Sequence, residues 1–386
     1  MQGSLHETEE NHAGESDKLC IDSVLYGMVF GIQMGRKTVI VGTHSVMHAV
    51  VDFGCAALVM GIAREVGLSL PLAVTVIVLY DFCAFALQFP VGILTDRLNC
   101  NSLIAAIGCV LVALGFLLRP WAVTACVIAG IGNALYHVGG GVDVLNLSDR
   151  KAALSGIFVS TGDLGLFLGV NANRLPIRAT VMFILLLVSA AILLGLYYLI
   201  KCRYRIENVP CKRLIEPVSL SDRQKLILVC MMSTVYLRSC FGVCMSFSWR
   251  SAFTGGLIAA SAIMLGKMLG GIVGDRLGWM KTSVSSLLLA AVLFVFAEKS
   301  MVCGLAALLL FNMTMPITLC VTVDLFRNRK GAAFGLTSAM LFFGLIPAFD
   351  RTAELLKKIS SIVAGAVVSA ALLLIGLIAY RKWRTE

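Results

Sequence analysis

This chain is short of charged residues. Asp, Glu, Lys and Arg make up 14% of its 386 residues, where a soluble domain carries about 25%. So few charges cannot cover a soluble globule of this size. The mean hydropathy of +0.90 points instead to a surface covered by acyl chains. Catalytic signatures are missing too. The sequence holds no P-loop, no Gly-x-Ser-x-Gly, no Cys-x-x-Cys and no His-Glu-x-x-His, so neither an enzyme nor direct use of ATP is expected. Its 13 cysteines follow no metal-ligand spacing. Most, such as Cys55, Cys83, Cys109 and Cys126, sit singly in apolar runs, where a thiol is a small packing group. No metal and no cofactor is expected. Residues 1–18 are acidic and polar (Glu7, Glu9, Glu10, Glu15, Asp17), unlike a cleavable signal peptide.

Long apolar runs, by contrast, are abundant. A spanning helix needs roughly 20 largely apolar residues. Twelve such runs are centred near Val51, Val78, Leu111, Ile131, Val159, Leu187, Met232, Ala262, Ala290, Leu310, Leu341 and Leu372. The expectation is an all-α polytopic membrane protein with twelve transmembrane helices. One long polar connection, with Lys201, Arg203, Arg205, Lys212, Arg213 and two prolines, divides the spans six and six. The predicted organisation is a tail over 1–37, a six-helix bundle over 38–200, a linker over 201–223, a second bundle over 224–381 and a short tail over 382–386. Within the first tail, the apolar stretch Leu19 to Met34 is short for a span and contains Asp22, so it is predicted to lie on the membrane surface.

A net charge of +10 could suggest nucleic acid, but its distribution argues against that. Basic residues crowd the connections on one side, including Arg97, Arg150, Lys151, Arg276, Lys281, Arg329, Lys330 and Arg381. Fewer, among them Arg64, Arg119, Arg174 and Arg178, fall on the other. This is the positive-inside pattern with both termini in the cytoplasm of a cell membrane. The expected partners are the lipid bilayer, a small-molecule solute and protons, with a monomer sufficient.

The chain also resembles itself. Gly92-Ile93-Leu94-Thr95-Asp96-Arg97-Leu98 follows the second span, and Gly271-Ile272-Val273-Gly274-Asp275-Arg276-Leu277 follows the eighth. The two aspartates are 179 positions apart (275 minus 96). Arg150-Lys151-Ala152-Ala153 and Arg329-Lys330-Gly331-Ala332 repeat the offset (329 minus 150), as do Asn133 and Asn312 (312 minus 133). Two copies of one six-helix fold, related by an axis along the membrane normal, are the expectation. Gly92, Asp96 and Arg97, with Gly271, Asp275 and Arg276, form the predicted conformational latch: glycine permits close packing, and the aspartate sits at a helix end where it can bond a neighbour and release it.

These paired elements resemble the Gly-x-x-x-Asp-Arg/Lys-x-Gly signature of the major facilitator superfamily (MFS), over essentially the whole chain from about Thr38. The resemblance implies the MFS fold of two pseudo-symmetric six-helix bundles and secondary transport by alternating access. The first copy departs from the signature at Leu98-Asn99-Cys100, where glycine and further basic residues are usual, and this predicts a weaker latch in the first half.

Ionisable groups inside spans cost roughly 2.5–3.5 kcal/mol each on insertion scales and so mark candidate sites. His44, His48 and Asp52 are spaced by four on span one and share a helix face. An imidazole beside a carboxylate suits a proton carrier; alternatively His44 is near the membrane surface and His48–Asp52 is a structural pair. On span seven, Arg238 needs an anion, which a solute carboxylate, phosphate or phosphonate could supply bidentately, or else Asp52, Asp81 or Asp163. Lys267 on span eight could contact solute or balance Asp81. Tyr136 and His137, next to Gly139, Gly140 and Gly141 on span four, are candidates for lining the solute path, with the glycines packing; Asn133 and Asn312 would shape the pocket. The glycines of span five resemble an antiporter motif without its proline. His48 with Asp52, Gly-Asn-Ala-Leu-Tyr-His and Leu237-Arg238-Ser239 together resemble the fosmidomycin-resistance subgroup of the MFS, although Val138 stands where that subgroup has proline. The resulting expectation is a proton-coupled carrier of a small organic anion, with efflux implied by the resemblance to that subgroup of exporters. Nutrient-anion uptake and a non-transporting sensor are the alternatives.

Overall fold

The computed structural model describes the backbone of residues 6–65, 69–204, 219–326 and 328–386, and side chains over 35–64, 69–202, 219–326 and 328–386. All twelve apolar runs are helical. They form α1 (His6–Glu65), α2 (Leu70–Leu98), α3 (Asn101–Leu117), α4 (Ala122–Leu147), α5 (Ala153–Val170), α6 (Ala179–Cys202), α7 (Asp222–Cys244), α8 (Phe253–Leu277), α9 (Trp279–Phe294), α10 (Met301–Leu325), α11 (Lys330–Phe349) and α12 (Ile359–Thr385). Ten have the length and apolarity to cross a membrane, while α3 and α9 are shorter apolar helices. This is a multi-pass membrane protein. The predicted surface helix at 19–34 lies outside the residues whose side chains are described, and so does most of the linker over 201–223.

Proline interrupts two spans where its missing N–H predicts a break. Pro90 cannot bond the Ala86 carbonyl, and α2 passes through a π turn at Phe82–Ala86 just before it. Pro316 cannot bond Asn312, and α10 divides into Met301–Asn312 and Met315–Leu325.

Each half has its own apolar core. One includes Ile40, Val51, Leu58, Val112, Tyr136 and Leu193; the other includes Ile227, Met231, Leu287, Phe294, Phe311 and Leu373. The outward face of α6 leaves Val181, Ile184, Leu185, Val188 and Ile192 exposed, as a lipid-facing helix should. Between the halves α2 packs on α11 and α5 on α8.

At one end of the molecule the internal repeat closes the two halves onto each other. The Asp96 carboxylate accepts from the backbone N–H groups of Gly331 (2.8 Å) and Ala332 (2.9 Å), at the N-terminus of α11. Its repeat partner Asp275 accepts from Ala152 (2.9 Å) and Ala153 (2.8 Å), at the N-terminus of α5. Each aspartate therefore caps a helix of the opposite half, meeting free amides and the positive end of a helix dipole. The glycines explain the proximity. A Cβ on Gly92 would strike the Gly331 carbonyl, and one on Gly271 the Ala152 carbonyl. Arg97 and Arg276 are exposed. At the departure Leu98-Asn99 the chain turns differently: Asn99 takes the left-handed helical region (φ +50°, ψ +40°), which asparagine tolerates, while its counterpart Gly278 takes φ +97°, ψ +137°. The first copy thus keeps both amide bonds, while Asp275 gains one more, from Trp279 Nε1 at 3.0 Å.

Loss of a helix cap costs about 1 kcal/mol. Asp275→Ala is therefore expected to raise alkylation of Cys320, buried at this closed end against the Lys151 carbonyl, about fivefold. Site-resolved mass spectrometry after maleimide treatment would measure it.

Candidate functional site

His48, on α1, and His137, on α4, meet in the interior of the first half. The Nδ1 of His48 lies 2.7 Å from the Phe158 carbonyl, and the Nδ1 of His137 lies 2.9 Å from the Asn133 carbonyl. A carbonyl can only accept, so each Nδ1 carries its hydrogen, and in a neutral ring Nε2 would then be a bare lone pair. Yet the two Nε2 atoms stand 2.8 Å apart. Two lone pairs at that distance repel, and one added proton turns the repulsion into a charge-assisted hydrogen bond. Asp52 supplies the balancing charge, with Oδ2 at 3.2 Å from His48 and Oδ1 at 3.4 Å from His137. Asn133 Nδ2 donates to Asp52 Oδ1 at 3.2 Å.

The ligand atoms of His48, Asp52 and His137 lie within 4.8 Å of one another, a spacing a metal ion could also use. The distance between the imidazoles favours the proton. Two nitrogens bound at about 2.1 Å on a tetrahedral ion sit about 3.4 Å apart, well beyond the 2.8 Å seen.

Gly162 makes room for this cluster. A Cβ there would crowd both Asp52 Oδ2 and His48 Nε2. Gly162→Ala, which changes no charge, is expected to lower the stability of the folded protein by about 1–3 kcal/mol, because overpacking a filled site carries that cost. Thermal melts of the purified variant beside the wild type would measure it.

His44 does not join the cluster. Its Nε2 lies 3.2 Å from Asp143 Oδ2, and Asp143 also accepts from Asn101 Nδ2 at 2.9 Å and from the Ser102 hydroxyl. The His44 side chain is wholly buried within the protein. Tyr136 is equally buried, and its hydroxyl donates to the His44 carbonyl.

The cationic groups face this half from the other. Lys267 on α8 makes an ion pair with Asp163 on α5, Nζ to Oδ1 at 2.6 Å. It therefore balances Asp163, not Asp81. Arg238 on α7 is 7% exposed, and its Nη2 is buried without a hydrogen-bond partner among the described residues. Asp163 is the carboxylate in electrostatic reach of Arg238, and it also feels Lys267 and His48. Asp163 Oδ2 is likewise buried and unpartnered. Asn312 turns its amide back to Leu308 O at 2.8 Å. The glycines of α4 pack: Gly139 lies on Asn101 and Ala105, Gly140 on His44 and Phe158, and Gly141 on Phe334 of the other half.

Sequence reasoning singled out His48, Asp52, His137, Arg238 and Lys267. It named Asp163 only as one possible partner of Arg238 and passed over Asp143. Spacing along one helix reveals an i, i+4 pair such as His48–Asp52 but not a partner on another span.

No known family's sequence model matches the chain, and no curated protein matches it in sequence. Solved structures do. The fucose:proton symporter FucP of E. coli, in a single-substitution variant, superimposes with a TM-score of 0.62 at 11% identity, covering 90% of this chain and 98% of that one. The human organic anion transporter MFSD10 (TETRAN) gives 0.65 at 13%, covering 89% and 99%. A bacterial homologue of the iron transporter ferroportin, in an outward-facing state, gives 0.60 at 15%, covering 90% and 100%. The fold is that of the MFS transporters. Identities this low bear on the fold and not on solute or coupling.

Proposed function

We propose that the protein is a proton-coupled secondary transporter of a small organic anion, working by alternating access across the cell membrane with both termini in the cytoplasm. The observation that carries this reading is the facing pair of imidazole Nε2 atoms at 2.8 Å, a site that demands one exchangeable proton. Gly162, in contact with it, adjoins Asp163, and Asp163 reaches across to Lys267 and Arg238. Proton and solute anion thus act on neighbouring charges, His48 being in electrostatic reach of Asp163, which is what coupling requires.

In this reading the latch end is cytoplasmic, and its closure by Asp96 and Asp275 gives a carrier open to the outside. Solute binds at Arg238 and Lys267, the halves rock, and both aspartate caps release together. The short motifs shared with the fosmidomycin-resistance exporters favour efflux, and the same charges would serve uptake of a nutrient anion if the proton moved inward with it. The paired Lys267–Asp163 contact supports a second reading, a sensor that keeps the fold and moves nothing.

Proteoliposomes holding a pH-sensitive dye and bearing an imposed pH gradient test the proposal. Addition of a transported anion from a panel of carboxylates and phosphonates is expected to dissipate the gradient. If no member binds or moves protons, the sensor reading stands, and binding without proton movement contradicts proton coupling.

A further inference from the structure

We infer that the central site is built for a solute carrying a single negative charge, and that Asp163 sets this preference; the inference rests on the anion-transport reading above. Three fixed charges meet at the interface of the halves: Lys267 and Arg238 from the second, Asp163 from the first. Lys267 is 8% exposed and Arg238 7%, and a buried net charge is strongly disfavoured. One carboxylate against two cations leaves one positive charge unanswered.

The geometry says where that charge resides. Asp163 Oδ1 is spent on Lys267 at 2.6 Å, while Arg238 Nη2 is buried and has no hydrogen-bond partner among the described residues. The guanidinium presents a planar fork suited to a carboxylate or a similar oxyanion group. The other titratable groups close to Asp163 do not alter the balance. His48 is the one that acts on it from α1, and with one proton shared between His48 and His137 beside ionised Asp52, that triad is neutral as a unit. A monoanion therefore brings the site to neutrality. A dianion would overshoot by one charge, and a neutral solute would leave Arg238 unanswered. Selectivity by charge then lies in Asp163, which takes up the second cation before solute arrives.

Changing the fixed charge should change the solute. In Asp163→Asn both cations are free, and the site should favour a dianion. In Lys267→Gln the remaining cation faces Asp163, and the site should hold no anion well. Asp163→Glu keeps the charge and should keep the wild-type order. Binding to purified protein can be read by thermal stabilisation at pH 7.5 with size-matched probes, 4-carbamoylbenzoate against terephthalate and succinamate against succinate. The expected result is monocarboxylate binding at least tenfold tighter than dicarboxylate in the wild type and in Asp163→Glu, and the reverse in Asp163→Asn. An unchanged order in Asp163→Asn, or undiminished monocarboxylate binding in Lys267→Gln should the asparagine variant not fold, overturns the inference and leaves the transport reading standing. Failure of every probe to bind the wild type overturns the anion reading and the inference with it.

Discussion

Arg238→Gln is expected to abolish anion-dependent flux while making the solute-free protein more stable. The two effects have one cause. A guanidinium inside a spanning helix carries an insertion cost of roughly 2.5–3.5 kcal/mol, and Arg238 has a buried Nη2 with nothing to bond. Replacing an uncompensated buried charge by a neutral side chain removes that cost and is stabilising by about 1 kcal/mol or more. If the charge is kept to bind a solute anion, the same change removes a buried charged contact worth about 2–5 kcal/mol, roughly 30- to several thousand-fold in affinity. A structural arginine would behave oppositely, since its loss would lower stability. Thermal melts of the empty variant, together with flux per inserted molecule in liposomes, check both parts. A destabilised variant that still transports would remove Arg238 from the solute site.

Asp52→Asn is expected to separate solute movement from proton movement. The shared proton on His48 and His137 leaves a positive charge that Asp52 balances from 3.2 and 3.4 Å. An amide at that position cannot balance it, but its N–H groups can donate to a bare Nε2, so the neutral pair becomes the comfortable state. Exchange of labelled anion across the membrane should persist, because the Arg238 side is untouched. A coupled carrier accumulates solute about tenfold per proton for each unit of pH gradient, since one unit corresponds to about 1.36 kcal/mol; the variant should show none. Counterflow and gradient-driven uptake measured on one liposome preparation distinguish the two. Accumulation that survives the substitution would place the proton elsewhere.

Most of the fold was legible because a bilayer leaves few solutions. Twelve apolar runs had to be helices, and the offset of 179 positions (275 minus 96) required two copies of one bundle. The latch was legible as a motif, but its partners were not. Nothing local to Asp96 says that it will cap α11 of the opposite half, and the rule emerges only when Asp96 with Gly331 is set beside Asp275 with Ala152. At the departure Leu98-Asn99 the aspartate keeps both amide bonds, with Asn99 closing the helix in the left-handed region, and lacks only the third bond that Asp275 takes from Trp279.

The candidate site was half legible. His48 and Asp52 declare themselves by their spacing on one helix face. That His137 belongs with them, and that His44 belongs with Asp143, depends on how α1 crosses α4, which a single sequence does not encode locally. Tyr136 stood beside His137 as a path-lining candidate, yet neighbours in sequence point to different sides of a helix. His137 enters the proton cluster, while Tyr136 holds the His44 carbonyl. Lys267 took Asp163 over Asp81 for a comparable reason, since α5 packs on α8 and brings that carboxylate into reach.

The central claim is that proton and anion compete for adjoining charges at one site. Proton uptake or release on anion binding, followed with an indicator dye in weakly buffered detergent solution between about pH 5 and 8, where imidazoles titrate, tests it most directly. The account predicts a pH-dependent proton change of up to about one per bound anion, lost in Asp52→Asn although the anion still binds. Anion binding with no proton change at any pH in this range would contradict it.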